Sequence, residues 1–208
     1  SITLPASVTT IGESAFSNCT ELKDINLDRV SQIKYGAFAN CKGLLNVSIF
    51  NAKDVNSDAF INSSISSAVL PYEWTENFKL DFSKTPNLWK VYIGEATATI
   101  PPDTFKSNKL FWIYSNAATP PEISTTTFSP DTYDKGILYV PQGCVNAYKG
   151  AKVWNLIPDI RELPYQIDIS DENVSVDISQ SVTLTASVVP AYGPPVQIKW
   201  YSLNECHL

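Results

Sequence analysis

Residues 11–27 return at residues 33–49 with a step of 22. Ile11 aligns with Ile33, Ala15-Phe16 with Ala37-Phe38, Asn18-Cys19 with Asn40-Cys41, Leu22 with Leu44, and Leu27 with Ile49. A fixed period of this size predicts a solenoid, because one such unit cannot bury its own apolar face and must do so against its neighbours. Ile25 and Leu27 alternate and so share one side of a short strand. Glu13-Ser14-Ala15-Phe16 reads as a single helical turn on the opposite wall, with Phe16 in the core. The expected fold is an α/β repeat solenoid, right-handed, with one parallel sheet and short helical turns.

The pattern continues in altered form. Asp58-Ala59-Phe60 keeps the step, and Ile65, Ala68 and Leu70 form a strand one residue early. Tyr72–Phe82 reads as an insertion or degenerate turn. Leu88, Val91 and Ile93 restore the strand signature, and Ile100, Phe105, Leu110 and Ile113 make another unit. Strands are predicted near Ile25, Val47, Val69, Val91, Ile113 and Tyr139, paired in parallel as one sheet. Leu138-Tyr139-Val140-Pro141 is the last of them. After it Val145–Lys149 reads as a short amphipathic helix, and Trp154 and Ile157 can cover the open end, which a solenoid needs.

LPASVTTIGESAFSNCTELKDINL resembles the BspA-type leucine-rich repeat of bacterial surface proteins, especially those of Bacteroides and its relatives. ILYVPQGCVNAYKGAKVWNLI resembles the cap that closes such arrays. The resemblance covers residues 1–163, with the cap at 137–163. It implies adhesion to host proteins or other cells, and it carries over no binding residues. Past Leu163-Pro164 the texture changes to period two: Ile167-Asp168-Ile169, Val174–Ile178 and Val182–Val188 alternate. Residues 164–208 are expected to be a small all-β segment. Within it SVTLTASVVPAYGPPVQIKWY resembles the first half of a bacterial immunoglobulin-like domain, with Trp200 as its core tryptophan.

Composition narrows the function. A net charge of −6 argues against a nucleic-acid partner, which wants a basic stripe. Apolar residues make up 44% and charged ones 17%, enough for a real core. No apolar run is long enough to span a bilayer. Methionine is absent, so Ser1 reads as a processed or trimmed start. The expected location is extracellular or on a bacterial cell surface.

The cysteines are Cys19, Cys41, Cys144 and Cys206. An even number suggests disulfides in a short secreted chain. Cys19 and Cys41, however, share one rung position, where free Cys serves as a small buried hydrophobe. Both are expected to be reduced and buried.

Catalytic patterns are missing. The one histidine, His207, adjoins Cys206, but neighbours on a strand point to opposite faces and chain ends are rarely rigid. Asp168, Asp171 and Glu172, and Asp131 and Asp134, lack EF-hand spacing and read as solvated turns. Asn18, Asn46, Asn62 and Asn173 form Asn-X-Ser/Thr sequons, with Asn18 expected to hydrogen-bond inside its turn. No catalytic residue, cofactor or metal ligand is expected.

The aromatic pattern carries more. Outward strand positions are polar in the first units, at Asp24, Asn26, Asn46 and Ser48. Later they become Tyr92, Trp112, Tyr114 and Tyr139. Stacking at a common register sets these four on one sheet face, and exposed aromatic patches mark interaction sites. They are the candidate partner-binding residues, unless Tyr72–Phe82, with Trp74 and Phe78, or the C-terminal segment folds over them. The expected function is a non-enzymatic binding module for protein partners in adhesion. The alternative is a glycan-binding accessory module that uses the same aromatics.

Overall fold

The 22-residue step becomes a stack of units joined by parallel backbone pairing. The computed structural model describes residues 2–75, 78 and 81–163, together with the backbone of three later strands. In chain order the strands are β1 (Thr10–Ile11), β2 (Gln32–Ile33), β3 (Asn46–Ser48), β4 (Asp54–Val55), β5 (Ser67–Val69), β6 (Lys90–Ile93), β7 (Trp112–Ser115), β8 (Ile137–Val140) and β9 (Asp159–Glu162), then β10 (Tyr165–Ile169), β11 (Ala186–Pro190) and β12 (Val196–Gln197). The chain divides into two compact units, Ser1–Glu162 and Leu163–Leu208.

The main sheet has six parallel strands in the order β3-β5-β6-β7-β8-β9. Val47, Ala68, Val91, Ile113 and Leu138 face each other in register and are buried. The early strand at Ala68 and the recovery at Val91 appear as steps of 21 and 23 (68−47 and 91−68). Gly94 closes β6 against the preceding unit, where any Cβ would overlap the Pro71 and Tyr72 carbonyls. Only glycine lets the two backbones approach this closely.

The single sheet expected above is corrected to two. β1, β2 and β4 form a second parallel sheet. Its column Ile11, Ile33 and Val55 is extended by a parallel bridge from Val55 to Phe78. Phe78 thus continues the second wall, one residue late (78−55 is 23, against 22 before it). The Ile25 strand is also corrected. Ile25 bridges Ile2, and among the described residues no ladder joins it to Val47. Asn26 instead accepts the Asp28 N–H at 2.8 Å, a local turn of the kind that competes with strand pairing. Finally, β8 is not the last strand, since β9 adds to the sheet edge after the cap.

The helical-turn wall is a ladder between units. Ala15, Ser17 and Cys19 donate N–H within their own unit, to Gly12, Ser14 and Phe16. The residues between them donate across: Ser14 to the Tyr35 carbonyl, Phe16 to Ala37, and Asn18 to Ala39, at 2.8–2.9 Å. Phe38 and Asn40 repeat the pattern to Ala59 and Ile61. A helix would keep these bonds inside one segment, whereas here stacking satisfies half of them. The geometry demands left-handed backbone at recurring sites. Asn18, Asn40 and Asn62 have φ of 63°, 59° and 57°, and asparagine tolerates that region better than other side chains. The Asn18 side chain bonds between units as well as to its neighbour Ser17: its Oδ1 accepts Asn40 Nδ2 at 3.0 Å.

Inside this wall runs a column of phenylalanines. Phe16, Phe38 and Phe60 stack at 5.3 and 5.1 Å, within 6° of parallel. Phe82, Phe105 and Phe128 continue it at 5.0 and 5.6 Å. The cysteine position lies beside this column. Cys41 is buried and free, and its thiol donates to the Phe16 carbonyl. Burial pushes that thiol's pKa up. Ser63, Thr85 and Asn108 take the same place in later units, all buried, and Asn108 likewise donates to Phe82 O at 3.1 Å. Thr85 Oγ1 donates to the same Phe82 carbonyl from within its own unit at 3.0 Å, and among the described residues Ser63 Oγ has no partner, so the position selects small volume first. Cys19 is free but only half-buried, a correction to its expected burial.

At the other end, α1 (Pro130–Lys135) begins on Ser129, whose hydroxyl accepts the Thr132 N–H. α2 (Val145–Gly150) is the expected short helix. Tyr148, Trp154 and Ile157 are buried against the last units. Tyr148 Oη donates to Ala117 O at 2.8 Å and meets Ser115 Oγ at 2.7 Å, and burial raises its pKa well above the usual phenol value.

β10, β11 and β12 pair antiparallel in that order. Val174–Ile178, Trp200, Cys206 and His207 lie outside the described residues.

Candidate binding face

Register aligns the outward side chains of the main sheet into columns. Tyr92 pairs with Tyr114, Tyr114 with Tyr139, and Tyr139 with Arg161. Strands lie about 4.8 Å apart, close to the spacing at which aromatic rings stack in an offset manner. The rings follow: Tyr92 to Tyr114 is 4.6 Å and Tyr114 to Tyr139 is 4.8 Å, at 23° and 8°. The Arg161 guanidinium sits 6.0 Å from the Tyr139 ring centre. It is also paired with Asp159, through Nε at 2.9 Å. The next column runs Lys90, Trp112, Ile137 and Asp159.

All four sequence candidates therefore share one face, but not one exposure. Trp112, Tyr114 and Tyr139 are half-buried. Tyr92 is 4% exposed, enclosed within its column rather than presented by it. Trp74 and Phe78 do not lie across this face. Phe78 is buried in the second wall, and Trp74 meets it edge-on at 4.5 Å.

The sequence reading missed the rim just before the strands. Leu45, Trp89 and Phe111 are 50%, 39% and 46% exposed. The Trp89 carbonyl accepts both the Phe111 and Trp112 N–H groups, which fixes the rim to the next strand. Trp89 lies 5.3 Å from Trp112, and Phe111 lies 6.2 Å from Trp112. The signal was available, because Trp89 and Phe111 are 22 apart (111−89) and precede each strand at one position. Lys90 was missed as well. Its ammonium lies 5.5 Å from the Trp89 ring and 5.6 Å from Tyr92, within range of a cation–π attraction.

Other chemistry is sparse. Among the described residues no three His, Cys, Asp or Glu side chains gather as a metal site. Asp131 pairs with Lys109 at 3.0 Å, which holds its carboxyl below the usual range, and Asp134 lies near Lys135. No described helix is long and apolar enough to cross a membrane. A cleft of about 390 Å³ opens between Pro102, Pro120, Ile123 and Lys152, floored by Trp154. That indole N–H is already given to the Pro121 carbonyl.

Parallel strands at a step near 22, with apolar positions stacked inward, define a leucine-rich repeat protein. The chain belongs to the BspA type leucine rich repeat family, whose model matches residues 1–111 in six copies. A solved leucine-rich repeat protein from Bacteroides ovatus is similar over 78% of this chain, at 17% identity and a TM-score of 0.42. The chain spans 51% of that protein's length. No curated protein matches the chain.

Proposed function

We propose that the chain is a non-enzymatic binding module whose main-sheet face engages a protein partner in adhesion at the surface of a bacterium. One observation carries this reading: an in-register aromatic face built where the first units carry Asn and Ser. Val91, Ile113 and Leu138 fill the inward positions, so the core does not call for the half-buried rings of Trp112, Tyr114 and Tyr139. Stacked tyrosines are rigid and amphipathic, and Tyr and Trp dominate interface energetics. A protein fits better than a glycan. Sugar rings stack on open aromatic faces, whereas Tyr92, Tyr114 and Tyr139 turn their faces to one another. Family membership supports both the interaction role and a surface or secreted location. We further read the units as one right-handed solenoid spanning residues 1–163, and residues 164–208 as a small all-β segment, the first part of an immunoglobulin-like domain.

The test is an array of matrix proteins and glycans probed with the chain and with Trp112→Ala. The variant is expected to weaken binding to a protein spot by about 2 kcal/mol or more. Its unfolding midpoint should stay close to that of the parent, because the ring is half-exposed. Undiminished protein binding by the variant would sink the proposal. Binding confined to glycan spots would favour the alternative, carried by the exposed rings of Trp89 and Phe111.

A further inference from the structure

Lys90 is a cation set among aromatic rings, on a protein whose net charge is −6. Among the described residues no carboxylate pairs with it, although the chain's other ion pairs are numerous. Lys34, Lys84, Lys106, Lys109 and Arg161 each hold an aspartate. The carboxylate in its own column, Asp159, stands three strands away and is held by Arg161. Three strand spacings are about 14 Å, beyond a Debye length at physiological salt. The exposed Trp89 ring lies 5.5 Å from this charge, half-buried Trp112 faces Lys90 in register, and exposed Phe111 lies 6.2 Å from Trp112.

We infer that this rim is an anchoring site for an acidic, apolar peptide segment of the partner. A carboxylate of the segment would meet the Lys90 ammonium, and a neighbouring Leu or aromatic side chain would lie on Trp89 and Phe111. The argument is charge complementarity joined to exposed apolar area. A lysine held over indole and phenol rings keeps its charge at a fixed place, beside surface that gains from leaving water. The aromatic column of Tyr114 and Tyr139 continues the surface away from the rim, toward Arg161 and Asp159, whose charges offset each other. Lys90 is thus the cation that sets polarity across the face. The inference rests on the proposed protein-binding reading and adds the chemistry of the segment bound and the end of the face where it anchors.

The test is selection of a phage-displayed random dodecapeptide library on the full chain. The enriched peptides are then titrated, as fluorescent synthetic peptides, against the parent, Lys90→Gln, Trp112→Ala and the distant Lys23→Gln. Enriched peptides are expected to place Asp or Glu within two residues of Leu, Phe or Trp. Lys90→Gln should weaken them about tenfold, with the gap closing as salt is raised, while Lys23→Gln leaves them unchanged. Peptides without acidic residues, equal affinity for Lys90→Gln, or a library that yields no enriched peptide would each overturn the inference. If binding needs Trp112 but not Lys90, the face stands and this inference falls. If it needs neither, the protein-binding reading of the face falls too.

Discussion

Trp154→Ala is expected to open one end of the core and to lower stability by about 3–5 kcal/mol. The ring is 1% exposed. It meets the edge of Phe128 at 5.5 Å and that of Tyr148 at 5.4 Å, so it closes the phenylalanine column. Its Nε1 donates to the Pro121 carbonyl at 2.7 Å, a bond the alanine variant loses along with the volume. Val153 before it takes a φ of 74°, a costly region for a β-branched residue, where the chain reverses into the short turn that carries Trp154. Urea unfolding followed by circular dichroism reads the loss. Trp154→Phe separates its parts, since it keeps an aromatic ring and gives up the hydrogen bond, a difference of about 1 kcal/mol. An unchanged midpoint for the alanine variant would show that the cap is not what seals the array.

Phe38→Ala should be as severe, about 3–5 kcal/mol, for a different reason. Phe38 is wholly buried, with a parallel ring on each side. Its removal leaves a gap between two units rather than at an end. In a repeat array each unit is supported only by its neighbours. The variant is therefore expected to unfold in two separated transitions, with the units before the gap melting first. Phe16→Ala, at a half-buried position with one stacked ring, should cost clearly less. Equal losses for the two variants, or a single sharp transition for Phe38→Ala, would mean that the column does not couple the units.

The main sheet was legible from residue spacing because Val47, Ala68, Val91, Ile113 and Leu138 are apolar positions in runs long enough to alternate. The slips at Ala68 and Val91 were visible for the same reason. The second sheet was not, since Thr10–Ile11 and Gln32–Ile33 are two residues long and period two cannot show in two residues. The turn wall misled because a helical turn and a cross-unit ladder both bury one phenylalanine per unit. What tells them apart is backbone handedness, and its trace was Asn18, Asn40 and Gly36, all at positive φ. β9 (Asp-Ile-Arg-Glu) has one apolar residue at a charged edge, so it gave no pattern. At the candidate site, register placed Tyr92, Trp112, Tyr114 and Tyr139 together correctly. Alternation says only which way a side chain points, and so it could not say that Tyr92 is enclosed while Trp89 and Phe111 protrude.

The missing ladder between Ile25 and Val47 has a mechanical meaning. Backbone bonds between units run along the stacking direction, so traction along the stack loads the seams in series and the bonds of each seam in parallel. Later seams between β3 and β9 carry a main-sheet ladder, whereas the backbone bonds described across the seam between the Ile25 and Val47 repeats are those of β1–β2 and the turn wall. Under traction along the stack, that seam is expected to part before those that carry the ladder. The aromatic face on β6–β8 would stay intact behind it, so a contact made there, as proposed above, would outlast the first rupture.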